Sequence, residues 1–261
     1  MIENSETAMP PSIEVLPDAA ALARAAAERF VSSAARAIAD RERFVVALSG
    51  GSTPRHMYEV LAQEPFASRV NWSRVQVVWG DERCVPPTDP ESNSRMAREA
   101  LLDHVPLPAE NVHRIHGEDD PARAAAAYET TLRELLDTPS GPPSPEPGHD
   151  VDLVLLGVGE NGHTASIFPG SAAADERVRW VAAEYVPAVA MWRLTLTAPV
   201  LNAAGEVLFL VSGGTKASVL KRILEGPRQP RDLPAQLIAP TRGRTQWMMD
   251  RAAAAELSRK A

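Results

Sequence analysis

The sequence predicts an α/β protein of three-layer αβα type, Rossmann-like, with a mostly parallel open sheet between helices. Three observations carry this. Runs such as Phe44-Val-Val-Ala-Leu48 and Val207-Leu-Phe-Leu-Val211 are continuously apolar rather than alternating, the mark of strands covered on both faces. Stretches with helical spacing separate them. Glycine turns close several of the runs, at the carboxyl ends of strands, where open parallel sheets bind ligands.

Taken in order, residues 19–39 are alanine-rich, with Leu22, Phe30, Val31 and Ile38 on one helix face, and this helix is all that is expected of the first forty residues. The strand 44–48 runs into Ser49-Gly-Gly-Ser-Thr-Pro54, read as a tight turn and a helix with Pro54 at its first position. Val75-Gln-Val-Val-Trp79 is a second strand, followed by a turn at Gly80-Asp-Glu-Arg83. Ser92 and Asn93 can cap a helix reaching about Leu102, and another helix covers roughly 122–136. Residues 137–149, with five prolines and two glycines, read as an exposed connection. A strand at 151–156 then leads into Gly157-Val-Gly-Glu-Asn-Gly-His163, and later strands are expected at 193–197, 207–211 and 245–249, with a helix over 215–224. No repeat or second core is visible, so residues 1–261 are expected to form a single α/β domain.

Composition narrows the function. The 261 residues are 44% hydrophobic and 23% charged, an ordinary globular balance that leaves little room for a largely disordered chain. The net charge of −7 argues against a protein that coats nucleic acid, but not against a small phosphorylated substrate held by a few placed cations. The single cysteine, Cys84, excludes an internal disulfide and a cysteine-rich zinc site. No run reaches the length of a membrane span and the N-terminus lacks the pattern of a secretory signal, so the expected location is the cytoplasm.

Four turns are placed to carry chemistry. Ser49–Thr53 joins a strand to a helix start, where backbone N–H groups favour an anion; a purely structural turn capped by Ser52 or Thr53 is equally open. No Gly-Lys-Ser/Thr follows, so it is not a P-loop. Ser212-Gly-Gly-Thr-Lys216 repeats the design and adds a cation in the first helical turn, where it opposes the helix dipole and suits a bound phosphate better than a structural role. Gly157-Val-Gly-Glu-Asn-Gly162 matches the dinucleotide pattern, but Pro169 leaves no room for the crossover helix that pattern needs. His163 follows this loop, and a histidine titrating near neutrality suits a general base. Arg83 and Arg193 can each fork onto a phosphate or simply pair with a carboxylate.

Read together, Ser49-Gly-Gly-Ser-Thr-Pro54, Trp79-Gly-Asp-Glu-Arg83 with Ser92-Asn93, the block Gly162-His-Thr-Ala-Ser-Ile-Phe-Pro169 and Ser212-Gly-Gly-Thr-Lys-Ala217 closely resemble the 6-phosphogluconolactonase family, whose relatives are the glucosamine-6-phosphate deaminases. The resemblance implies the sugar-phosphate isomerase/lactonase type of fold and hydrolysis of 6-phospho-D-glucono-1,5-lactone in the oxidative pentose phosphate pathway. It implies no cofactor and no metal, a small sugar-phosphate lactone as the sole substrate partner, and a monomer or small homo-oligomer. By that similarity His163 corresponds to the base that activates water and Arg83 to a group near the reacting end. Gly50, Gly51, Ser52, Thr53, Arg193 and Lys216 correspond to groups that hold the phosphate. One departure stands out: the family block usually carries Asp two residues before the histidine, and this chain has Asn161.

Overall fold

The computed structural model describes residues 11–138, 150–240 and 242–258. The connection expected at 137–149 lies, from residue 139 onward, outside the described residues. The first strand, β1 (Ser12–Leu16), precedes the alanine-rich helix α1 (Ala19–Arg41), so the opening segment is more than a helix. The reason is tertiary: β1 lies parallel to the last strand of the chain, a partner no local pattern announces. Asp18 caps α1, its carboxylate accepting the Ala21 N–H at 2.8 Å.

The strands β2 (Phe44–Leu48), β3 (Val75–Trp79), β5 (Leu153–Leu156), β8 (Glu206–Val211) and β9 (Arg244–Asp250) join β1 in a six-stranded parallel sheet of order β1-β9-β8-β5-β2-β3. The four strands β2, β3, β5 and β8 are almost wholly buried, as their largely apolar runs require.

The connections β1–α1–β2 and β2–α2–β3, with α2 at Ser52–Leu61, both move toward the β3 edge, and α1 packs on α2. Those from β3 to β5 and from β8 to β9 move the other way, through α4 (Pro121–Leu135) and α7 (Ala217–Leu224). Right-handed crossovers place these two groups on opposite faces. The direction reverses between β2 and β5, so the two connections part there and leave a crevice at the carboxyl ends of the strands.

A smaller antiparallel sheet, β4-β7-β6, changes two expectations. Gly80–Arg83 is not a turn: Asp81–Arg83 forms β4, which pairs with β7 (Met191–Leu196). The strand expected at 193–197 is therefore this β7, outside the parallel sheet, and β6 (Val181–Val186) completes the hairpin. An antiparallel strand needs a partner to name its sheet, and β4 is too short to show a pattern of its own. Within α2, Pro54 sits third rather than first, because Gly51 is the residue that opens the helix. The remaining helices are α3 (Asn93–Ala100), capped by Ser92, α5 (Ala172–Asp175) and α6 (Ala198–Ala203).

Phe209 on β8 is fully buried and stacks on Trp247 of β9, ring centroids 3.8 Å apart and 4° from parallel. Phe209→Ala should lower unfolding stability by about 3–5 kcal/mol, read from the urea midpoint, because the rigid sheet cannot close the cavity.

Candidate active site

Three glycine turns and the strand β4 that replaces the fourth converge. Strands β8, β5, β2 and β3 are consecutive neighbours, and the segments leaving them line one cleft of about 280 Å³. Its walls include Ser49–Pro54, Asp81, Arg83, Gly159, His163 and Lys216.

His163 is held from two sides. The Asn161 Oδ1 lies 2.6 Å from the ring Nδ1 and 3.2 Å from the His163 backbone nitrogen. A backbone N–H can only donate, so the amide oxygen must face it, and the same oxygen then accepts from Nδ1–H. That assigns the tautomer and leaves the Nε2 lone pair free. Phe168 stacks on the imidazole at 4.3 Å, and Gly159 lies directly beneath it, where a Cβ would collide with the ring. Gly159 N–H in turn donates to His163 O at 2.9 Å. No crossover helix follows the loop, whose next regular element is the four-residue α5, so the dinucleotide pattern has no structural counterpart.

Burial pushes the imidazole from its ordinary 6.5 down to about 4, helped by Lys216, Arg193 and Arg83 and opposed by Asp81. The ring is therefore neutral at pH 7. An unfolded chain takes up the proton that the folded one refuses, so this group lowers stability as pH falls from 6.5 toward 4.

The phosphate candidates lie around the same cleft. Thr53 Oγ1 and Ser212 Oγ are 2.9 Å apart and tie the two Ser-Gly-Gly loops together. Gly51 opens α2 with no side-chain cap, which leaves the first-turn N–H groups without one. Gly50 presses against Asn93, and a Cβ at that position would overlap the carboxamide. Lys216 makes no ion pair among the described residues.

Arg83 and Arg193 face each other in the β4–β7 register, with both side chains on one side of the ribbon. Arg193 is 8% exposed, and its Nε and Nη1 are buried without a hydrogen-bond partner, as is Arg83 Nε. Arg83 Nη1 donates to Glu91 O at 2.6 Å, but the other three donors named have no partner, and each unpaired buried donor is costly. Arg193 does not itself line the cleft, although its charge reaches His163.

Sequence reading missed three supporting groups. Asp81 is 8% exposed, lines the cleft and accepts from Ser166 Oγ at 2.7 Å. Glu82 accepts the Asn93 and Ser94 N–H groups at 2.7 and 2.8 Å, anchoring the start of α3 beside β4. Tyr58 bonds to Ser49 from within α2. The acidic pair after a strand end could have signalled the first two; nothing local marks the tyrosine.

A parallel α/β sheet with a polar crevice at its reversal point, lined by two glycine loops, a lysine and a neutral histidine, defines a class of α/β proteins with a cleft at the carboxyl ends of their strands. The chain belongs to the family described as glucosamine-6-phosphate isomerases/6-phosphogluconolactonase, whose profile matches residues 17–247. It is 39% identical over 251 residues to a 6-phosphogluconolactonase of a Nostoc species, covering 96% of this chain and all of the relative. A 6-phosphogluconolactonase of Haemophilus influenzae is 38% identical across 80% of this chain and 85% of its own length. The solved 6-phosphogluconolactonase from Trypanosoma cruzi superposes with a TM-score of 0.83 at 28% identity, over 98% of this chain and 100% of that one.

Two titrations test the histidine. A ¹³C NMR titration of His163 in the free protein should give a pKa well below 6.5, and a value at or above 6.5 would refute the buried neutral base. Asn161→Asp puts a carboxylate against Nδ1–H and should raise that pKa by about 1–3 units; no rise would mean that residue 161 does not govern the ring.

Proposed function

We propose that this chain hydrolyses 6-phospho-D-glucono-1,5-lactone to 6-phosphogluconate, within the oxidative pentose phosphate pathway. The observation that carries the reading is His163, neutral at pH 7 with Nδ1–H committed to Asn161 and Nε2 free. Relatives named 6-phosphogluconolactonase, matching 96% and 80% of this chain, support the choice of substrate.

In the proposed reaction, Nε2 takes a proton from water as its oxygen adds to the C1 carbonyl. Negative charge grows on the carbonyl oxygen, and Arg83 lies beside it as the stabilising cation. The tetrahedral intermediate then expels the ring oxygen, which takes the proton from the imidazolium, so the C1–O5 bond breaks and the acid is released. A histidine whose imidazolium is strongly acidic suits this second transfer. The Ser49–Thr53 loop and Lys216 hold the phosphate on C6, five carbons from C1, and Arg193, behind the cleft wall, adds its charge.

The deaminase chemistry of the same family fits less well. It asks for a group that moves a proton, and the carboxamide of Asn161 cannot ionise.

Release of 6-phosphogluconate from fresh lactone, coupled to its oxidation, should outpace the spontaneous reaction; a rate equal to the spontaneous one would sink the proposal. His163→Ala should lower kcat by about 10²–10⁴-fold while 6-phosphogluconate still binds within a few-fold and melting is little changed. Near-parent turnover in that variant would place the base elsewhere. Lys216→Ala should raise KM for the phosphorylated lactone by roughly tenfold or more, and leave unphosphorylated gluconolactone nearly unaffected. Equal losses on both substrates would remove Lys216 from the phosphate site.

A further inference from the structure

The ladder of β2 ends at Leu48 opposite Trp79 on one side and at Ala47 opposite Val154 on the other. Ser49 is thus the first residue of that chain segment with no sheet partner. It is only 4% exposed, so water cannot readily serve its N–H and C=O groups. One hydroxyl serves both. Tyr58 Oη accepts the Ser49 N–H at 3.0 Å and donates to the Ser49 C=O at 2.9 Å. Tyr58 is fully buried on α2, the helix whose uncapped start opens onto the cleft. The same residue therefore fixes where the loop leaves the sheet and where the helix begins.

We propose that Tyr58 is a positioning residue for the anionic end of the substrate: its hydroxyl clamps Ser49 so that the 49–53 loop presents its donors to a phosphate group. This rests on the reading of that loop as the phosphate site. Ser49 Oγ supports it independently, being buried at the cleft with no partner of its own. Removing the Tyr58 hydroxyl leaves two buried backbone groups unpaired. The loop must shift to satisfy them, and the donors ahead of it shift too.

The fold contains its own control. Tyr128 on α4 makes the same pair of bonds to Trp79, accepting its N–H at 2.7 Å and donating to its C=O at 3.2 Å. Trp79 lies on the edge strand β3, so Tyr128 covers a sheet edge and touches no part of the 49–53 loop.

The test compares Tyr58→Phe and Tyr128→Phe. Binding of inorganic phosphate is measured by calorimetry, and KM and kcat are measured with phosphorylated and unphosphorylated lactone. Tyr58→Phe should weaken phosphate binding about tenfold and raise KM for the phosphorylated lactone in step, with kcat held within about threefold. Tyr128→Phe should lower the melting temperature but leave phosphate affinity unchanged. Parent-like phosphate binding in Tyr58→Phe, or an equal loss in Tyr128→Phe, would overturn the clamp. Calorimetry needs no turnover, so the two readings fail separately: weakened binding in a chain that does not hydrolyse lactone keeps the clamp and removes the reaction. A parent protein that binds no phosphate removes the clamp, whatever its turnover of lactone.

Should Tyr58→Phe not fold, ¹⁹F NMR of the parent protein, labelled with 3-fluorotyrosine at its three tyrosines, decides the question. Saturating phosphate should move the Tyr58 resonance and not that of Tyr128. A static Tyr58 signal with phosphate bound would overturn the proposal.

Discussion

The divergence of the connections from β2 and β5 is the constraint on which the rest of this molecule's site depends. The two strands share only a short register, Val46 with Leu153 and Ala47 with Val154. Beyond it one segment turns into α2, and the other turns into the His163 loop. Both ends open toward the same crevice because parallel strands all present their carboxyl ends to one side. Neighbouring β8 adds the second Ser-Gly-Gly loop, and the Thr53–Ser212 contact locks the two loops edge to edge.

Charge in this crevice acts in two directions. Lys216, Arg193 and Arg83 help burial to keep His163 neutral. Asp81 restrains the effect from within the cleft, held by Ser166. Asn161 contributes orientation without charge, so electrostatic support for an imidazolium falls to Asp81 rather than to the residue that touches the ring.

The small antiparallel sheet supplies what the parallel sheet cannot. Parallel strands deliver only the residues at their ends, whereas the β4–β7 pairing sets Arg83 against Arg193 across a ribbon and leaves both guanidiniums short of partners. Glu82 then ties β4 to the start of α3, which places Asn93 against Gly50. Packing between the ribbon and the first loop is close enough that only glycine fits at residue 50 without displacing that side chain.

The sequence by itself determined the elements whose signals are local. Apolar runs marked β2, β3 and β8, helical spacing marked α1, and the glycine turns with His163 and Lys216 marked the strand ends that line the cleft. These are legible because a strand covered on both faces and a turn that must bend sharply each constrain their own residues. Tertiary structure alone decided the pairings between distant segments. β1 exists because β9 is beside it, and Arg193 left the parallel sheet because β4 and β6 flank β7. Tyr58 reaches Ser49 because α2 folds back over the end of its own strand. The neutral state of His163 belongs to this second group, since it comes from burial and from charges carried by three other segments of the chain. A residue's own neighbours in sequence do not set its solvation or its field; those come from whatever the fold packs against it.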